Sequence, residues 1–151
     1  MEAHGSRIVH VASGTLHAPA GNLVSRLCYI AEKLDAVLSA HRPAAGSVES
    51  IFHAKNSLSA LNLGHARGVA LLCLGRTGIE VHEYTPGQIK QAATGHGRAD
   101  KEQVQAMVRI LLGLGPSEMD TTDALAAALC HVQLAGSAIT AFTKSVRGGR
   151  R

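Results

Sequence analysis

The feature that most constrains the fold is a repeated change of hydrophobic period along the chain. Ile79 to Tyr84 (IEVHEY) alternates apolar and polar residues, the two-residue period of a strand with one buried face. Before it, Asn56 to Leu74 repeats apolar residues at helical spacing, which turns Leu58, Leu61, Ala66, Val69 and Leu72 inward and leaves Gly75 beyond the helix end. After it, Thr85-Pro86 forms an N-cap followed by proline at the first helical position, opening a short helix through Ala92. The same alternation recurs upstream. Arg7 to Ala12 (RIVHVA) reads as a strand, and Thr15 to His17 as a further extended piece. Asn22 to Ala40 is a helix carrying Leu23, Leu27, Ile30, Leu34, Val37 and Leu38, stopped by Pro43. Ala45 to Ile51 is a short strand. Downstream, the loop Thr94 to Asp100 leads into a helix from Lys101 to Leu112, and an Ala-rich helix runs from Asp120 to Leu134. Strands alternating with helices and ending in helices predict an α/β fold with one thin mixed sheet.

Composition narrows what such a fold can be. The chain has 151 residues, 46% of them hydrophobic, which suits one domain over residues 1–143 with a core of its own. With 3% aromatics and no Trp, that core has to be Ala, Leu and Val at close approach. No apolar run is expected to reach the roughly 18 residues of a membrane span, and the N-terminus lacks the basic-then-apolar order of a signal peptide. Cys28, Cys73 and Cys130 are scattered and odd in number, as expected of reduced thiols in a cytoplasmic protein rather than a disulfide scaffold or a zinc knuckle. The net charge of +4 comes entirely from residues 144–151 (KSVRGGRR), since residues 1–143 carry equal numbers of acids and bases. That basic segment is expected to be a disordered tail, serving either as a solubilising terminus or as an attractor of polyanions.

Phosphate-binding glycine loops, a dinucleotide fingerprint and a zinc-protease helix motif are all absent, and the nine histidines never fall at ligand spacing. The acids say more. Asp120 and Asp123 stand three apart at the start of an apolar helix (DTTDALAAALCH), so they share one face. They can cap the helix and complement its dipole, or they can act together on a ligand. Glu49 lies within a short strand, either facing solvent or joining them. Three such carboxylates suit Mg²⁺, a hard ion with oxygen ligands. Two such ions can activate a water and stabilise the leaving oxygen of a phosphodiester. Phe52, one of two phenylalanines, sits in a polar turn three residues after Glu49, where it can stack on an unpaired base or fold back into the core. Lys55, Arg67, Lys90, Arg98 and Lys101 are candidates for phosphate contacts or are simply solvated charges.

The stretches VESIFHAKNSLSALNLGHARGVALL, EYTPGQIKQAATGHGRADKEQVQAMVRILLGL and DTTDALAAALCH resemble RuvC, the family of bacterial Holliday-junction resolvases, over about residues 7–135. The resemblance implies a ribonuclease-H-like fold, a homodimer, and paired, Mg²⁺-dependent nicking of four-way DNA junctions alongside the RuvA and RuvB branch-migration proteins. On it, Glu49 matches the second catalytic carboxylate, and Asp120 and Asp123 the last two, all three being metal ligands. Phe52 matches the aromatic that meets unpaired DNA, Lys90 and Lys101 match backbone-contacting bases, and the helix from Asn56 to Leu74 matches the dimer interface. The family opens with a G-[IV]-D-P-G strand whose Asp is the first metal ligand. The first Asp of this chain is Asp35, in a helix, and Met1 to Gly5 align with the end of the family's second strand. A misassigned start is therefore expected, with a D-P-G strand encoded in frame upstream, and a degenerate copy is the rival. The 151-residue form is expected to have weak or no nuclease activity, with a non-catalytic junction-binding or dimerisation module as the alternative.

Overall fold

Strand and helix alternate as the periodicity requires. The computed structural model describes residues 1–5, 7–50, 57–115 and 121–148. The elements run β1 (Glu2–His4), β2 (Arg7–Val9), α1 (Leu23–His41), β3 (Ala45–Glu49), α2 (Ser57–Arg76), β4 (Glu80–Tyr84), α3 (Pro86–Thr94), α4 (Lys101–Leu112) and α5 (Thr122–Gly148). They fall into two compact units, residues 15–85 and residues 1–14 with 86–151.

In the 15–85 unit, α1 begins because the Asn22 side chain accepts a hydrogen bond from the Ser25 N–H at 2.8 Å, satisfying one of the orphan donors of a helix start. It ends at Arg42, whose φ of 43° is left-handed and whose N–H donates to the Leu38 carbonyl. The following Pro43 explains the stop, since a residue before proline is pushed out of the α region. Strands β3 and β4 pair in parallel from Ala45 opposite Glu80 to Glu49 opposite Tyr84, and α2 makes the crossover that parallel strands need. The core of this unit is Leu38, Cys73 and Leu74, packed by Ala31, Leu34, Val48, Val69, Ile79 and Val81. The Leu74 side chain lies so close over Gly46 that a Cβ there would stand 2.8 Å from its Cδ2.

Helix α2 corrects three expectations. It extends to Arg76, so Gly75 lies inside it. Leu58, Leu61 and Leu72 are 65, 56 and 58% exposed, and Cys73 and Leu74 are the buried residues instead. The reason is that α2 is apolar around most of its circumference, so period alone leaves open which stripe meets the strands. For the same reason Leu58–Arg76 is long and apolar enough, by length and composition, to cross a membrane, contrary to the expectation that no segment is. Its Cys73 and Leu74, however, are committed to the core and its Arg67 to an ion pair with Glu83.

In the other unit, β1 and β2 form an antiparallel hairpin, with Gly5 at φ 62° in the turn. The strand ends at Val9, three residues short of its expected end, and Thr15 to His17 form no strand. Helix α4 opens with a capping box: the Asp100 carboxylate accepts from the Gln103 N–H at 2.8 Å, and the Gln103 side chain accepts from the Asp100 N–H at 3.0 Å. It closes at Gly113, left-handed at φ 65°. Ile89 and Ala93 of α3, Val104 and Val108 of α4, and Leu125, Ala126, Ala127, Leu129 and Cys130 of α5 are buried. The small residues let the three helices approach closely without aromatics. Helix α5 passes its expected end at Leu134 and runs to Gly148, because residues 135–147 hold no proline and only one glycine, Gly136, to break it. Among the described residues the four strands pair as two separate two-stranded sheets, one antiparallel and one parallel.

Candidate active site

Glu49 is the last residue of β3, and its side chain is exposed. Because side chains alternate along a strand, Val48 packs into the core and Glu49 points to the opposite face. The peptide that follows it is held at both ends. The Glu49 carbonyl accepts a hydrogen bond from Arg67 Nε at 3.3 Å, and the Ser50 N–H donates to the Tyr84 carbonyl at 2.8 Å. The Arg67 guanidinium also pairs with the Glu83 carboxylate.

Asp123 lies in the first turn of α5, where a negative charge complements the helix dipole. Its Oδ2 stands 2.9 Å from the Lys101 ammonium, both side chains being more than half exposed. Lys101 is the first residue of α4, and the capping box at Asp100 fixes its backbone. The start of α5 is further tied down: Thr122 is fully buried, and the Thr121 hydroxyl donates to Ser13 Oγ at 3.2 Å. Lys90 is half-buried on α3.

Glu49 belongs to the 15–85 unit, and Lys90, Lys101 and Asp123 belong to the other. Asp120, Phe52 and Lys55 lie outside the described residues. Among the described residues no three His, Cys, Asp or Glu side chains are grouped to hold a metal ion. The donor chemistry of Glu49 and Asp123 does fit a hard divalent cation: both offer exposed carboxylate oxygens, one at a strand's end and one on a helix's first turn. Of the candidate phosphate-binding residues, Arg67 is committed to Glu49 and Glu83, and Arg98 is exposed in the loop before α4. Glu83 is the residue that the sequence reading missed. A signal was present, since the alternation places Glu83 on the same strand face as Ile79 and Val81, both of which pack against the core.

A family profile described as Crossover junction endodeoxyribonuclease RuvC matches residues 1–131. The RuvC of Alkalilimnicola ehrlichii is 50% identical over 137 residues, covering 89% of this chain and 82% of that one. The RuvC of Heliobacterium modesticaldum is 46% identical over 133 residues, covering 86% and 82%. Among solved structures, Thermus thermophilus RuvC in complex with Holliday junction substrate superposes with a TM-score of 0.72 at 37% identity, covering 81% of this chain and 75% of that one. These likenesses give the fold as ribonuclease-H-like α/β. The chain belongs to the crossover junction endodeoxyribonuclease RuvC family.

Proposed function

We propose that this chain acts on four-way DNA junctions as a resolving endonuclease, with Glu49, Asp120 and Asp123 as its metal-holding carboxylates. The observation that carries the reading is the likeness to RuvC nucleases over nearly the whole chain, 50% identical over 137 residues in one relative. Nucleases of this family are metal-dependent bacterial enzymes acting on DNA, and we assign Mg²⁺, two ions per site, on the all-oxygen donor set. Bound there, Mg²⁺ supplies a Lewis acid for the phosphodiester and lowers the pKa of the attacking water. The chain's own residues do the positioning. Lys101 offsets the charge of Asp123, a carboxylate that would otherwise repel both its acidic neighbours and the phosphate. Lys55, Lys90 and Lys101 hold the DNA backbone, contacts that fix register without reading sequence. Phe52 stacks on a base unpaired at the crossover.

Paired nicks need two sites related by symmetry, which a homodimer supplies. Leu58, Leu61 and Leu72 share one exposed face of α2, and this supports α2 as the dimer surface. RuvA and RuvB as partners and a cytoplasmic location complete the reading. The test is a gel assay on a synthetic four-way junction with and without Mg²⁺. Because the first Asp of this chain is Asp35, symmetric nicks that require Mg²⁺ are expected to be weak in the 151-residue form, and Asp120→Asn or Asp123→Asn should abolish them while the junction stays bound. A junction that shifts but stays uncut in both Mg²⁺ and Mn²⁺ would overturn the nuclease reading and leave a junction-binding module.

A further inference from the structure

Arg67 sits where the geometry of a strand–helix–strand unit can act on Glu49. Helix α2 runs back along the parallel pair β3 and β4, and its residues Arg67 and Leu74 are seven apart, hence on one face. Seven residues of helix rise about 10 Å. Leu74 lies over Gly46, and Glu49 is three residues further along β3, again about 10 Å of strand. The match places Arg67 at the carboxyl ends of the strands, level with Glu49. There it meets Glu83, which is opposite Val48 in the register and on the strand face shared by Val81. Its two contacts divide the work. Nη2 is anchored by the Glu83 carboxylate, and Nε donates to the Glu49 carbonyl at 3.3 Å. With the Ser50 N–H held by Tyr84 at 2.8 Å, both polar groups of the Glu49–Ser50 peptide are fixed as β3 ends.

We propose that Arg67, anchored by Glu83, is a positioning residue for the Glu49 carboxylate. It sets the backbone at the last ladder residue, so the Glu49 side chain leaves the strand in one direction, on the face away from the core. The charge and shape are those required. Arg presents a planar fork that can serve a carboxylate and a carbonyl together, whereas the ammonium of Lys is a compact point charge without that fork. The Arg67 side chain is only 24% exposed, so it lies against the protein rather than extended toward solvent. This proposal rests on Glu49 being a metal-holding acid and adds what holds it in place.

The test uses readouts that need no turnover, on the isotope-labelled full chain. Hydrogen exchange of the Ser50 amide reports the backbone hold, and Mn²⁺-induced broadening of the Glu49 amide signal reports metal binding beside it. Arg67→Gln should speed Ser50 exchange at least tenfold relative to the Val81 amide and weaken Mn²⁺ binding at least fivefold. Arg67→Lys should recover less than half of either effect, and Glu83→Gln should reproduce both in part. If Arg67→Gln leaves Ser50 exchange and Mn²⁺ affinity within twofold of the parent, the proposal fails. It fails equally if the variant's only effect is weaker junction binding with a shallower salt dependence, because Arg67 would then be a phosphate contact. Glu49→Gln separates the two layers. Loss of broadening in Glu49→Gln with no effect of Arg67→Gln sinks the positioning role alone, whereas broadening that survives Glu49→Gln sinks the metal reading itself.

Discussion

Gly46 offers the sharpest test of how the 15–85 unit is packed. It stands in β3 three residues before Glu49, and an added Cβ would lie 2.8, 3.0 and 3.4 Å from Leu74 Cδ2, Cδ1 and Cγ. Leu74 is buried at the centre of the core cluster beside Cys73, so its methyl groups have little room to withdraw. Overpacking of this kind costs about 1–3 kcal/mol. Against it, replacing glycine by alanine in an extended strand removes freedom from the unfolded chain, worth about 0.4–1 kcal/mol. The net for Gly46→Ala is a destabilisation of about 0.5–2 kcal/mol, or roughly 1–8 °C in Tm for a chain of this size. The control is a double-mutant cycle with Leu74→Ala, which alone should cost about 2–5 kcal/mol through lost burial and a cavity. In that background the clash is gone, so Gly46→Ala should become neutral or stabilising by about 0.4–1 kcal/mol. Urea denaturation of the four proteins measures the coupling, expected at about 1–3 kcal/mol in sign opposite to the single effects. Additivity within about 0.5 kcal/mol would refute the close approach of α2 to β3 on which the placement of Arg67 depends.

Three further outcomes test the rest of the fold. Asp100→Ala removes the carboxylate half of the α4 capping box and should destabilise the chain by about 1 kcal/mol, seen as a lower urea midpoint, while Asp100→Asn should recover most of it. Burial pushes the Cys73 thiol up, helped by the hydrogen bond and charge of Asp35 and partly opposed by Arg76, and burial alone pushes Cys130 up. The folded chain therefore keeps those protons above 9.0, where the unfolded thiols lose theirs, so stability falls as pH rises from there until the folded thiols ionise. Urea midpoints between pH 7.5 and 10 should fall less steeply in a Cys73→Ala, Cys130→Ala variant than in the parent, and equal slopes would contradict the assignment. Exposed Cys28 should be the thiol that reacts with an alkylating reagent in the folded chain.

Most elements were legible because they are local, while the ends of β2, α2 and α5 and the extended piece expected at Thr15 to His17 were misjudged. Period separates strand from helix within a dozen residues, and Asn22, the Asp100–Gln103 pair and Gly113 cap their helices through bonds to neighbours a few positions away. The acids were singled out for a different reason: Glu49, Asp120 and Asp123 stand in stretches that resemble the RuvC family, whose profile matches residues 1–131. Partnerships between distant residues were not legible. Arg67 finds Glu83 sixteen positions on, and Lys101 finds Asp123 twenty-two positions on, so no window of sequence contains the reason. The buried side of α2 was hidden too. Its leucines satisfy a helical repeat on more than one face, and the strand pair takes only the stripe that carries Cys73 and Leu74. A glycine inside a strand weakens it, and at Gly46 tertiary structure supplies the cause, the close passage of Leu74. The sequence by itself determined most of the elements, since hydrophobic period depends on neighbours along the chain. Only the tertiary structure decided which faces are covered and which charges are held, because those depend on what the crossover brings against the strands.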